Sequence, residues 1–439
     1  MKRTKMIAGT LLAVVGISGG GFQVVRSQTA SGGATGDSAT ATVGEDGTVA
    51  VTGITLPGQD VSLPAACEAE TDQTAKVVCA ANAFLETLDE DQQAEVLLDL
   101  TQANAVVWSN LPTTFVQRNG IELGTLSDAQ YDAALAVVKA ATGSLADEGY
   151  SEVQQLLMAD DVLAASGGMQ NGMGGGMSGG MASGGMPPSG MPSGGGPPGM
   201  MSGGIGPGGA SGGAGGMPGS GGQDYSNGLY YLAFLGTPST TDTWILQFGG
   251  HHLAINTTYG TSEGVSATPE FRGVEPKVWT TEDATYAPMQ SDHQGMVEML
   301  ASLSATQLAS AKLSQTFSDV LVGPNEDGNF PETKSGLAVS ELSDEQQALV
   351  LEAMKPWVQD ADDATATELL AIYEDELDDT YIAYSGAASL TNHADYVRID
   401  GPSVWIELTC QDGIVYADQI HYHTVWRDHT RDYGAEFNF

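Results

Sequence analysis

Apolar residues recur at three- and four-residue spacing through "TAKVVCAANAFLETL". The same spacing follows each of four similar openings: "LDEDQQAEVLLDL" at Leu88, "LSDAQYDAALAVV" at Leu126, "LSATQLASAKLSQ" at Leu303 and "LSDEQQALVLEAM" at Leu342. That period predicts amphipathic helices. Each opening places a Leu before Asp or Ser, with Gln three residues later, which is the grammar of a capped helix start with a hydrophobic staple. Two origins fit the recurrence, a duplicated unit or independent helices capped in the same way.

Elsewhere the pattern is that of strands. "LYYLAFLG", "DTWILQFGGHHLAINTTYG" and "GVSATPEFRGVEPKVW" follow one another, and "HADYVRIDG", "PSVWIELTCQ" and "VYADQIHYHTVWRD" close the chain at hairpin spacing. Helices and strands come in blocks, which predicts an α+β fold with a mainly antiparallel sheet and helices packed against it. Residues 64–166 form the helical part of one composite domain and 223–439 its α+β part. Between them, 167–222 is a Gly, Ser, Pro and Met tract with hardly a charge, expected as a long disordered insertion. Its methionines include Met169, Met173, Met177 and Met181. They fit either a weak copper-gathering tether, since thioether sulfur is a soft ligand, or drift in a tolerant linker.

Charge and ends narrow the class. The 439 residues carry 15 Lys and Arg against 55 Asp and Glu, formally −40. Such a surface repels nucleic acid and anionic membranes, so neither is expected as a partner. "MKRTK" followed by a short apolar stretch predicts a signal peptide over 1–27, hence a secreted or envelope protein, with an acidic disordered spacer over 28–63. In an oxidising compartment Cys67 and Cys79 can close a short loop, leaving Cys410 buried; three free thiols are the alternative.

The candidate chemistry lies in the histidines. His421 and His423 stand two residues apart on a predicted strand and so share a face. His251 and His252 are neighbours after two glycines, so one of them would join a common site. Glu407 sits mid-way along an apolar strand, on the face of Trp405 and Thr409, and needs a cation, a histidine or a metal. Imidazoles with one carboxylate form the ligand set of many divalent-metal or copper sites. The alternative has the imidazoles bonded to core carbonyls and Glu407 paired with Arg398 or Arg427. Arg427 and Arg118 are candidate clamps for the oxyanion of a small substrate, and Trp108 either lines that pocket or packs. No Gly-x-Ser-x-Gly elbow between a predicted strand and a predicted helix, no P-loop and no His-Glu-x-x-His motif occurs, which removes the commonest hydrolase, nucleotide and zincin readings.

Six ordered segments, "VVWSNLP", "RNGIELGTLSDAQ", "WILQFGGHHLAIN", "TPEFRGVEP", "VWIEL" and "HYHTVWRDHTRDYG", resemble the bacterial family catalogued as domain of unknown function 3500. The likeness runs from Ala75 to Phe439 and implies no reaction. It does imply that "GGHHLAIN" and the final "HYHTVWRD" belong to one pattern. The resemblance also sets a histidine where this chain has Asp400, which would make Asp400 a substitute carboxylate ligand.

Overall fold

The computed structural model describes residues 39–44, 47–166, 224–262 and 264–439. The expected signal peptide (1–27) and Met/Gly tract (167–222) lie outside these residues.

Eight helices are built on the predicted periodicity: α1 (Gln73–Leu85), α2 (Glu90–Val96), α3 (Asp128–Ala141), α4 (Gly149–Ala165), α5 (Gln290–Ala301), α6 (Ala305–Ala311), α7 (Asp344–Val358) and α8 (Asp363–Asp375). All four repeated openings form capping boxes, at Asp89, Ser127, Ser304 and Ser343. Eight long strands follow the same division: β1 (Tyr231–Leu235), β2 (Trp244–Gly249), β3 (Leu253–Thr261) and β4 (Glu270–Val274), then β5 (Tyr381–Ser385), β6 (Tyr396–Asp400), β7 (Val404–Asp412) and β8 (Ile420–Asp428).

Their order across the sheet is β5-β6-β7-β8-β4-β3-β2-β1. Among the described residues each half therefore supplies four helices of seven residues or more, the first half adding two four-residue helices (Ala65–Glu68 and Gln102–Ala105), and then a four-stranded antiparallel run, and the halves join edge to edge through their last strands. The caps repeat the division. Gln130 donates to Gln92 at 2.8 Å in the first half, and Gln307 donates to Gln346 at 3.1 Å in the second. In both, a glycine with positive φ (Gly120, Gly336) introduces a two-residue strand that pairs with the first long strand, Ile121 opposite Leu232 and Leu337 opposite Ile382. Independent capping does not account for that shared order; a duplicated unit does.

The sheets are mixed, where a mainly antiparallel one was expected. Leu97–Leu98 pairs parallel to β1, and in a smaller four-stranded sheet Trp279–Thr280 pairs parallel to Val49–Thr52. Both short strands arrive from distant parts of the chain, a connection that hairpin spacing cannot reveal. The expected spacer over 28–63 is corrected in its described part: Thr40–Val43 and Val49–Thr52 are strands, and Val49 and Val51 are buried.

Each face of the large sheet has its own cover. On one, α7 reaches Thr424 through Trp357 Nε1 at 2.5 Å, and α4 reaches Arg272 through Glu152. The other face carries Phe271, Trp405 and Val425, packed under Trp108 and Val322 from the long segments that precede each two-residue strand. The histidines of β8 point to this second face, because His421, His423 and Val425 alternate with Tyr422 and Thr424.

Candidate metal centre

β8 aligns His421 opposite Gln411 and His423 opposite Thr409. The β2–β3 turn brings His252 over the same spot, its φ of 60° turning the backbone into the left-handed region. His423 Nε2 lies 3.1 Å from His421 Nε2 and 3.2 Å from His252 Nε2. All three imidazoles are buried.

Hydrogen bonding alone explains this contact poorly. His423 Nδ1 lies 2.9 Å from Asp319 Oδ1 and donates to that carboxylate, which leaves Nε2 with a single lone pair. Two neighbouring rings cannot both donate into one sp² lone pair. A tetrahedral ion with metal–nitrogen bonds of 2.0–2.1 Å sets its ligand nitrogens about 3.3 Å apart. The two spacings, 3.1 and 3.2 Å, lie within about 0.2 Å of that edge.

The surroundings hold His252 and His421 neutral, as ligands must be. Burial pushes His252 well below the usual histidine range, and the neighbouring rings of His251, His423 and His421 push it further. His421 is lowered by the same causes, burial first, with the backbone of Asp412 acting in the opposite direction. Burial acts to raise the Asp319 carboxyl, but its hydrogen bond and charge interaction with His423 hold it below the ordinary value. Asp319–His423 thus has the form of a carboxylate that orients a ligating imidazole. Gly273 on β4 faces the cluster. A Cβ there would stand 3.0 Å from His423 Cδ2 and 3.1 Å from His252 Cδ2, so only glycine leaves the rings their space.

Of the candidates read from sequence, His252, His421 and His423 come together and the rest do not. His251 is turned away: its Nδ1 meets Asp160 at 2.7 Å while its ring stacks on His252 with centroids 3.7 Å apart. It supports the cluster without joining it. Glu407 is corrected as a ligand. It shares the face of His423, but its oxygens accept from Leu321 N (2.6 Å), Val322 N (2.8 Å), Trp405 Nε1 (2.7 Å) and Tyr396 OH (2.7 Å). Burial raises its carboxyl and those four donors counter the rise. Its need for partners is met by fastening the covering loop to the sheet.

The two arginines are also corrected as substrate clamps. Arg427 is fully buried between Asp327 and Asp432. Arg118 donates to the carbonyls of Val116, Ser109 (2.8 Å), Leu111 (2.6 Å) and Gly250 (2.8 Å), and burial pushes it down to about 10. It holds the turn that carries His252. Asp400 is bound by Lys334 at 2.7 Å and His429 at 3.3 Å, apart from the cluster. Trp108 packs in the core of the covered face, its Nε1 donating to Tyr433. Cys67 and Cys79 form a disulfide and Cys410 is a buried free thiol. Asp319, Asp160 and Gly273 escaped the sequence reading, since the two carboxylates meet their histidines across 104 and 91 residues and the glycine acts through the absence of a side chain.

A family model described as "Protein of unknown function (DUF3500)" matches residues 70–435. No curated protein and no solved structure matches.

Proposed function

The chain belongs to the DUF3500 family of proteins of unknown function, and from the geometry of its imidazole cluster we propose that it is a metalloprotein of the cell exterior or envelope. His252, His421 and His423 hold one copper or zinc ion, both of which imidazole suits. The observation that carries this reading is the double approach of Nε2 atoms to His423 at 3.1 and 3.2 Å. Three protein ligands leave a fourth position for water or a small molecule, the arrangement of catalytic rather than structural metal sites. The bound ion would supply Lewis-acid or redox chemistry there. His423 is oriented by Asp319, and His252 by the Arg118-held turn and the stacked ring of His251.

Placement outside the cytoplasm is supported by the N-terminal sequence pattern and by the Cys67–Cys79 disulfide. The charge of −40 argues against nucleic acid or anionic membrane as partner. Burial of all three imidazoles favours a second reading, metal carriage without turnover.

Metal analysis of untagged protein tests the site. One equivalent of copper or zinc is expected, lost in His421→Ala and His423→Ala. Less than one equivalent, unchanged in those variants, sinks the proposal. Azide added to the copper-loaded protein separates enzyme from carrier: a shifted ligand-field spectrum marks an open position, and an unchanged one favours carriage.

A further inference from the structure

On the opposite face of the sheet, one residue along β4 from Gly273, Arg272 enters a different environment. It is fully buried and is the cation for Glu152, Glu270 (2.6 Å) and Asp360 (3.0 Å). Glu148 and Asp292 lie beside them, also buried. One guanidinium thus faces five carboxyl groups. Several of the oxygens have backbone donors: Met289 N to Glu152 Oε1 at 2.9 Å, and Gly149 N to Asp360 Oδ1 at 2.8 Å.

Asp292 has no such donor from another residue, only an interaction with its own backbone N–H. Its side chain has no exposure, and neither of its oxygens meets a hydrogen-bond partner on another described residue. Glu148 Oε2 is in the same position. One carboxylate oxygen from each of Glu148, Glu152 and Asp292 lies within 4.8 Å of the others. Oxygens bound to one calcium ion at 2.3–2.6 Å lie at most about 5 Å from one another, so three within that limit can share one ion. An unpartnered buried carboxylate is costly unless it meets a cation or takes up a proton.

We propose that Glu148, Glu152 and Asp292 form a second, structural site for a hard divalent cation, separate from the imidazole centre. All its ligands are oxygens, which select calcium, magnesium or manganese over copper or zinc. Calcium fits best, because magnesium gives up its waters reluctantly and this pocket is enclosed by protein. The ion would tie the start of α4, in the first half, to the start of α5, in the second. The competing account fills the cluster with protons instead. Burial first, then the nearby Glu152, pushes the Glu148 carboxyl up to about 8, and burial raises Asp292 well above the carboxylate range.

The test uses full-length protein stripped with EDTA at pH 8. Calcium at a hundred times its Kd should raise Tm by about 3–5 °C. Glu148→Gln/Asp292→Asn should abolish that rise, while His421→Ala/His423→Ala keeps it. An equal rise in the Gln/Asn variant would mean screening of the acidic surface alone and overturns the site. Should that variant fail to fold, equilibrium dialysis of the wild-type chain decides the matter. One tightly held calcium is expected; none overturns the proposal.

Discussion

The two halves of the sheet make the same turn at the same place and use it differently. In the first, Gly249-Gly250-His251-His252-Leu253 links β2 to β3, with Gly249 opposite Ala254. In the second, Asp400-Gly401-Pro402-Ser403-Val404 links β6 to β7, with Asp400 opposite Trp405. Each turn is held by a cation two residues before the positive-φ glycine. Arg118 donates to the carbonyl of Gly250 and Lys334 to that of Gly401. The closing hydrogen bond and the cation are common to both, while Pro402 and Ser403 stand where the first half has His251 and His252, and only His252 takes a positive φ. The second half contributes its imidazoles from β8 instead. Chemistry has thus been placed at one copy of a repeated turn while the scaffold stayed the same.

The sharpest way to break this comparison is to remove the two holding cations separately. Arg118→Met leaves four carbonyl contacts unmet, two of them buried, and should cost about 3 kcal/mol in urea unfolding. Lys334→Met, at a partly exposed side chain, should cost about 1 kcal/mol or less. Equal losses would mean the turns are not differently loaded. Arg118→Met should also weaken metal binding, and Lys334→Met should not.

Acidification next probes the imidazole cluster that the two halves share. His252 and His421 are held below the ordinary value of 6.5 by burial and neighbouring rings. In the unfolded chain they take up protons as pH falls below 6.5, while in the folded metal-free protein they stay neutral, so stability falls with pH. The slope for each group is about 1.4 kcal/mol per pH unit. Metal-stripped protein should lose stability from pH 6.5 downward, and His252→Gln/His421→Gln should flatten that slope. A slope unaffected by the substitutions would assign the loss to other groups.

Smaller effects refine the picture. Asp319→Asn should weaken metal affinity about 10- to 100-fold with little change in Tm, read by competition with a chelating dye. Gly273→Ala forces a methyl group against two imidazoles and should cost about 1–2 kcal/mol, with altered metal spectra. A Gly273→Ala protein with wild-type spectra would show that the rings have more freedom than the packing implies.

Much of this was legible in sequence, for definite reasons. The capping motif is local, so the four helix starts and their repetition could be read directly. The pairing of His421 with His423 follows from the two-residue strand period. Which of His251 and His252 joins them could not be read, because it depends on a positive φ at a non-glycine residue. Glu407 misled because a carboxylate in an apolar strand signals only that partners exist. Its partners are Leu321, Val322, Tyr396 and Trp405, and the two backbone N–H groups leave no mark in sequence. Asp319 and Asp160 each come from one carboxylate among 55 acidic residues, too common a type to single out.

The joining of the halves through β4 and β8 carries a consequence for assembly. His252 belongs to the first half, and His421 and His423 belong to the second. Neither half alone can present three imidazoles, so a chain with both halves folded but undocked has its helices and hairpins and no centre. On the proposed reading, metal uptake would report that the two halves are docked. A bound ion would then act as a latch, stabilising the docked state by RT ln(1 + [metal]/Kd).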